Sequence, residues 1–221
     1  MTAELDLAAI YDRRFAGEAK FRTAMWRVLC RRFFQRYIDE RATVLEIGAG
    51  HCEFINNIGA ARRVAVDLSP DTPRYAAAGV EVIVSVSTTL SAIGNHTVDV
   101  VFVSNLFEHL SRSEILATLR ELNRVLVPHG RLLVLQPNIR YCYRDYWMFF
   151  DHITPLDDRS LIEALQLTGF VPVTVIPKFL PFTTKSALPK SLTLLRIYLA
   201  VPLLWRMFGA QAFIVARPSG S

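Results

Sequence analysis

The stretch Thr43-Val44-Leu45-Glu46-Ile47-Gly48-Ala49-Gly50 decides the fold of this chain. A short apolar run ends in two glycines separated by one residue. Such a run reads as a strand buried on both faces. The glycines let the backbone turn sharply and let a ligand approach with no Cβ in the way. Further strands follow at Arg63–Val66, Val80–Val84, Val98–Val103 and Arg131–Leu135, the second of the series running into Asp67. Helical candidates lie between them near Glu53–Ile58, Asp71–Ala77 and Ser113–Leu126. Strand and helix in alternation imply right-handed crossovers and a mostly parallel sheet. A helix over Asp158–Leu167, capped by Asp157 and stopped by Gly169, precedes two late strands at Val171–Ile176 and Ala212–Ala216. The expectation is an α/β fold, a doubly wound sheet of seven strands with helices on both faces.

One domain accounts for all 221 residues. Residues 1–41 form an N-terminal helical cap, 42–176 the ligand-binding core, 177–209 an apolar and basic insertion, and 210–221 the last strand and tail. Hydrophobic residues make up 52% and charged residues 20%, which supplies a core and argues against disorder. The net charge of +5 and pI near 9.3 lean weakly toward acidic partners such as nucleic acid, anionic lipid or a phosphorylated substrate. Cys30, Cys52 and Cys142 have neither metal-ligand spacing nor the look of a disulfide framework, so a reducing compartment fits. The start, MTAELDLAAIYDRRF, carries acids early and is not a secretory signal, which points to the cytoplasm. The apolar stretch Leu192–Phe208 contains Arg196, Pro202 and Arg206, and its longest uncharged run, Ile197–Trp205, is far short of the ~20 residues a spanning helix needs.

The glycine turn has a ligand-binding logic. Helix or turn N–H groups after a strand face a ligand at the carboxyl end of the sheet, near its topological switch point. Asp67 follows at close to the ~20-residue spacing of an acid that accepts hydrogen bonds from a ribose. Two cofactor classes compete. A dinucleotide wants a third glycine where this chain has Glu53, and an acid there would sit near a pyrophosphate. S-adenosylmethionine has no pyrophosphate, and its sulfonium and ammonium tolerate the acid.

These motifs resemble those of the class I S-adenosylmethionine-dependent methyltransferases. VLEIGAG (44–50) resembles their first motif, VAVDLSP (64–70) their second-strand acid, VDVVFVSNLFEHL (98–110) their fourth-strand motif, and LNRVLVPHGRLLVLQPN (122–138) the helix–turn–strand that follows. The resemblance implies a Rossmann-like sheet, mostly parallel with an antiparallel closing strand. It implies that Gly48, Ala49 and Gly50 accommodate the methionyl part of S-adenosylmethionine, with Glu46 near its amino group. Asp67 would hold the ribose, Leu68 would flank the adenine, and Ser104 and Asn105 would line the methionyl side. The family's acid after the third strand is missing from Val84-Ser85-Val86-Ser87, where a serine hydroxyl, Ser85 or Ser87, would substitute. His129 replaces the first glycine of the usual Pro-Gly-Gly turn, and a histidine tolerates a left-handed conformation. A narrower resemblance, through GHCEFINNI, QPNIRYCYRDYWMFFDHITPL and the Trp205–Ala216 ending, is to a methyltransferase-11-like bacterial subgroup of mostly unassigned substrate, often linked to glycan or lipid assembly.

Methyl transfer needs a nucleophile held ~3–3.5 Å from the methyl carbon and water excluded. A hydroxyl acceptor also benefits from a general base. His109 and His152 are the candidates, with Asp151 or Glu108 to orient an imidazole; each histidine reads equally as a loop anchor. Glu108 beside His109 is too little to assign a metal, and none is assigned. The aromatic loop 138–152 lies over the strand ends, where Asn138, Tyr146 and Trp147 are the candidate substrate contacts. The Arg22, Arg27, Arg31, Arg32 and Arg36 stripe of a helix over Glu18–Ile38 reads as a solvated face or as contact with an anionic surface. Residues 178–208 interleave Lys185, Lys190, Arg196 and Arg206 with Leu, Tyr and Trp, so they form a cap, a dimer contact or a surface for a membrane interface. The last reading would place the protein peripherally at the inner membrane.

The leading expectation is methylation of a small-molecule hydroxyl, on a sugar or lipid-linked metabolite, by a monomer or homodimer. A nucleic-acid methyltransferase is disfavoured by the lack of an Asn-Pro-Pro-Tyr-like motif or RNA-binding module. A non-catalytic cofactor-binding scaffold is the third reading.

Overall fold

A computed structural model describes residues 19–182 and 191–220. Seven strands form one sheet in the order β3-β2-β1-β4-β5-β7-β6. They are β1 (Thr43–Ile47), β2 (Arg62–Asp67), β3 (Val80–Val84), β4 (Val98–Ser104), β5 (Leu126–Pro137), β6 (Phe170–Ile176) and β7 (Gln211–Pro218). The first five pair in parallel; β7 runs antiparallel between β5 and β6. The expected sheet, with its antiparallel closing strand, is therefore present.

The central strands read as apolar runs because both faces are covered. Val44, Val100, Phe102, Leu133, Leu135 and Phe213 point to one core; Leu45, Ile47, Val101, Val103, Leu132 and Ile214 point to the other. The first core is covered by α1 (Ala19–Arg32), whose Trp26 and Leu29 are buried there together with Phe33 and Phe34 just beyond its end. The second is covered by α2 (Arg112–Val125) and α4 (Asp158–Leu167), while α3 (Ile139–Cys142) is one turn above the sheet's edge. The expected caps hold. Asp157 accepts N–H bonds from Arg159 and Ser160, and Gly169 ends α4 with φ +80°.

The boundaries differ in places for physical reasons. The helix expected over Glu18–Ile38 bends at Phe33 (φ −127°) into a separate 3-10 turn, Phe34–Tyr37; its first residue lies outside the described residues. The helices expected over Glu53–Ile58 and Asp71–Ala77 are single 3-10 turns, Ile55–Asn57 and Thr72–Arg74. Two asparagines explain them. Asn57 Nδ2 donates to Glu53 O (2.8 Å) in the first segment. In the second, the Asn56 side-chain amide donates to Tyr75 O (2.8 Å) and accepts from Ala77 N (2.8 Å), so side-chain bonds satisfy backbone groups that a helix would otherwise pair. β5 begins earlier than expected because Leu126 pairs with Val98 across a bulge. His129 lies in that extended segment and is not among the left-handed residues, so the tolerated-turn expectation is wrong. Gly130 carries the demand instead: a Cβ there would lie 2.9 Å from Val127 O.

The insertion folds as α5 (Leu192–Ala200) and α6 (Pro202–Phe208), broken where Pro202 starts the second helix. Tyr198, Leu199 and Trp205 are buried in the same core as Phe33 and Phe213, and Trp205 Nε1 donates to Tyr198 O (2.7 Å). Lys185 and Lys190 lie outside the described residues. Among the described residues no helix is long and apolar enough to cross a membrane.

Candidate functional site

Register places the predicted strand ends side by side. Ile47 pairs with Val66 and with Val103, Asp67 with Val84, and Ser104 with Leu135. Val84, Asp67, Gly48, Ser104 and Leu135 therefore follow one another along one rim, each about one strand spacing (~4.8 Å) from the next, with Ser85, Asn105 and Gln136 one residue beyond them. β1 sends the chain toward β2, and β4 starts the other half of the sheet, so Gly48 and Asn105 flank the switch point where open α/β sheets bind ligands.

The glycine turn is built for a close approach. Gly48 (φ +70°) and Gly50 (φ +48°) are left-handed, and so is Cys52 (φ +56°). Gly48 N and Ala49 N donate to Val66 O at 2.9 and 3.2 Å, which pins the turn to β2. Asp67 bridges the two turns: Oδ2 accepts from Gly50 N (2.7 Å) and Oδ1 from Ser69 N (2.8 Å). Each oxygen keeps a further lone pair for a ligand hydroxyl. Leu68 is 60% exposed beside it, an apolar surface poised for a planar ring.

Glu46 is buried, and its Oε2 accepts from Ile55 N (3.0 Å). Burial, with Glu53 and Asp67 nearby, holds its carboxyl well above the usual range despite that bond. It thus braces the turn from beneath. Ser85 turns its hydroxyl to Val86 O and Thr89 O, at 3.3 and 3.1 Å. Ser104 Oγ accepts from Asn105 Nδ2 (3.0 Å), and Asn105 is left-handed (φ +49°), which carries the chain over the end of β4.

Two residues at this rim escaped the sequence reading. Arg22 was assigned to the solvated stripe of α1. It is buried and ion-paired with Glu53, whereas Arg27, Arg31, Arg32 and Arg36 are exposed. A cation at the third-glycine position thereby offsets the acid there. Only a helical wheel weighed against Trp26 and Leu29 would have turned Arg22 inward. His51 stacks on Tyr75 with ring centroids 4.1 Å apart, next to the Gly50–Asp67 contact; nothing in its local sequence signals that partner.

A second polar group lies past the end of β4. Leu106 fills the space above Gly48, its Cδ1 lying 3.2 Å from where a Cβ would be, and leads into the turn Phe107–His109. Glu108 is buried, and its Oε2 accepts from Gln136 Nε2 (2.9 Å). Burial raises its carboxyl above the usual range, against the lowering effect of His109 and Gln136. The Glu108 carbonyl accepts from Ile153 N (2.8 Å) and Thr154 N (3.1 Å), which fastens the aromatic loop over the site. His109 and His152 meet edge to face, 5.0 Å between centroids. Asp151 reaches His109: His109 Nδ1 lies 3.0 Å from Asp151 O and 3.3 Å from Asp151 Oδ2.

The substrate-contact expectation needs correction at two positions. Asn138 is fully buried; its amide donates to Asp158 Oδ1 (2.8 Å) and Pro177 O (3.0 Å). Tyr146 is fully buried and donates to Thr154 O (2.6 Å); burial drives its phenol pKa up. Both support the loop from below. Trp147, Met148 and Phe150 stand exposed on it, the last at 83%. The loop therefore presents apolar surface outward and does not enclose the dry pocket expected of it. A shallow polar cleft of about 320 Å³ lined by Asp39, Asp99, His129 and Arg131 lies at the opposite, amino-terminal edge of the strands, away from this chemistry.

Comparison with known proteins bears on this geometry. A family model described as a methyltransferase domain matches residues 19–175. No curated protein matches the chain. Among solved structures, an S-adenosylmethionine-dependent methyltransferase from Archaeoglobus fulgidus superposes with TM-score 0.68 at 20% identity, covering 96% of this chain and 100% of that one. A chain from the complex between the Haloferax volcanii Trm112 methyltransferase activator and a methyltransferase gives 0.69 at 17%, covering 96% and 95%. Geranyl diphosphate C-methyltransferase from Streptomyces coelicolor, solved with Mg2+, geranyl diphosphate and S-adenosyl-L-homocysteine, gives 0.60 at 15%, covering 85% and 76%.

Proposed function

The chain belongs to the methyltransferase-domain family, and from that premise we propose that it transfers a methyl group from S-adenosylmethionine to a hydroxyl of an amphiphilic small molecule, a sugar or lipid-linked metabolite. The single observation that carries the reading is the rim itself: Gly48, Gly50 and Asp67 converge at the switch point, with Asn105 across it. Gly48 to Gly50 make room for the methionyl part, Asp67 takes the ribose hydroxyls, and Leu68 with the serines after β3 flanks the adenine. Bound there, S-adenosylmethionine supplies an electrophilic methyl group on a sulfonium. The protein's own residues then hold the acceptor in line and exclude water. The group of Glu108, His109 and His152, backed by Asp151, lies where the acceptor hydroxyl is activated. Trp147 and Phe150 provide the apolar surface against which the acceptor body packs.

The amphiphilic acceptor is favoured by the outer face of α5 and α6. Leu194, Ile197, Leu203, Met207 and Phe208 are exposed there, alongside exposed Arg196 and Arg206. After Glu163 the chain contains no acidic residue, but it contains Lys178, Lys185, Lys190, Arg196, Arg206 and Arg217. The described face of α5 and α6, with Arg196 and Arg206 beside its apolar residues, suits peripheral attachment to an anionic bilayer, where the apolar residues insert and the cations meet phosphates. The test supplies methyl-labelled S-adenosylmethionine with glycolipid, free-sugar and tRNA acceptors. Label in the glycolipid fraction, reduced at least tenfold by His109→Ala, is the expected result. Label in tRNA alone, or none on any acceptor by protein that binds the cofactor, would overturn the reading. Sedimentation with anionic vesicles should be lost in a Leu203→Ser, Met207→Ser variant; equal sedimentation of both proteins would remove the membrane from the account.

A further inference from the structure

Glu108, His109 and His152 each offer a ligand atom, and the three atoms lie within 4.8 Å of one another. They come from distant parts of the chain, the turn after β4 and the end of the aromatic loop, and are brought together by Ile153 N and Thr154 N bonding the Glu108 carbonyl. The bonds that anchor Glu108 and His109 use the atoms on the far side from the cluster. Gln136 Nε2 takes Glu108 Oε2, so Oε1 faces His109, 3.9 Å from its Nε2. With Asp151 O accepting from His109 Nδ1–H, the tautomer puts the lone pair on Nε2. A carboxylate behind that histidine, Asp151 Oδ2 at 3.3 Å, is the outer-shell arrangement that orients imidazole ligands.

We propose that Glu108, His109 and His152 bind one divalent transition-metal ion beside the acceptor position. Two imidazoles and one carboxylate suit Zn2+, Co2+, Fe2+ or Mn2+, and disfavour Mg2+ or Ca2+, which prefer oxygen ligands throughout. Tetrahedral ligation at ~2.1 Å puts ligand atoms roughly 3.4 Å apart, so the observed spread closes by about 1 Å of side-chain rotation. Glu108 and His152 are buried, whereas the His109 side chain is 26% exposed, which leaves one side open for an exchangeable ligand. An acceptor hydroxyl in that open position would be polarised by the ion. The site's location next to the acceptor rests on the proposed function, but its existence does not.

The test uses the full chain, freed of any affinity tag and stripped with EDTA, and titrates Co2+ by visible absorption while S-adenosylhomocysteine binding is measured separately by calorimetry. One equivalent of Co2+ should give d–d bands. The isosteric Glu108→Gln variant and the smaller His152→Asn variant, checked for an unchanged melting transition, should bind at least tenfold more weakly, and His109→Asn likewise. Featureless, unsaturable binding by the wild type, or bands unchanged in folded variants, would overturn the site. Bands without S-adenosylhomocysteine binding would keep the metal site and sink the cofactor reading instead.

Discussion

At the scale of single residues, the rim is held by groups whose local conformation leaves little room for substitution. Gly48 combines a left-handed φ of +70° with Leu106 Cδ1 3.2 Å from any added Cβ. Gly48→Ala should therefore destabilise the fold by about 1–2 kcal/mol, the left-handed cost for a residue with a Cβ, read as a lower urea midpoint at unchanged slope. Glu121 offers a pH-dependent case. Arg124 donates to both its oxygens, at 2.9 and 2.8 Å, and Leu90 N donates at 2.7 Å. The Arg124 hydrogen bonds chiefly hold its carboxyl below the usual range. A folded pKa below the unfolded one contributes stability above the ordinary carboxylate range, and that stability is lost as pH falls through the folded value. Glu121→Gln should cost about 1–2 kcal/mol at pH 7, and urea titrations should show the gap to wild type shrinking as pH drops below the ordinary carboxylate range. A gap that persists at low pH would assign the cost to shape. The glycines and Asp67 were legible in the sequence because their chemistry depends on residue type at a strand end. Arg22 and Asn138 were not, since each is defined by a partner far along the chain, Glu53 and Asp158.

At the scale of elements, the strands were readable and the short crossovers were not. Continuous Val, Ile and Leu runs such as Val98–Val103 have one stable use, a strand covered on both faces. Glu53–Ile58 has helical composition, but Asn57 Nδ2 takes the Glu53 carbonyl and one 3-10 turn is left, while the Asn56 side chain ties this connection to the next. Asn56→Ala removes two such bonds between the β1–β2 and β2–β3 connections. Thermal or urea unfolding should register a loss of about 1–2 kcal/mol; a neutral result would mean that backbone pairing alone fixes the turns. The insertion has two unlike faces. Its Tyr198 and Trp205 side is ordinary core, and Leu203 and Met207 on its other side are more than 60% exposed.

At the scale of the whole molecule, one rim of the sheet carries both groups on which the proposed function rests, Gly48, Gly50 and Asp67 at the ends of β1 and β2 and Glu108, His109 and His152 past β4. Among the described residues, the aromatic loop and the α5–α6 pair both expose large apolar side chains, which supports the proposed amphiphilic acceptor. The acceptor was not legible from sequence because it is set by the arrangement of the loop's side chains, and periodicity carries no information about that. The measurement that tests the central claim most directly is calorimetric titration of wild type and Asp67→Asn with S-adenosylhomocysteine. Asn keeps the volume of the side chain that bridges Gly50 and Ser69, so an unchanged melting transition isolates the loss of ligand contact. The account predicts wild-type binding in the micromolar range, weakened at least tenfold in the variant. Folded wild-type protein that shows no binding at millimolar ligand, or a variant that binds as tightly as wild type, would contradict it.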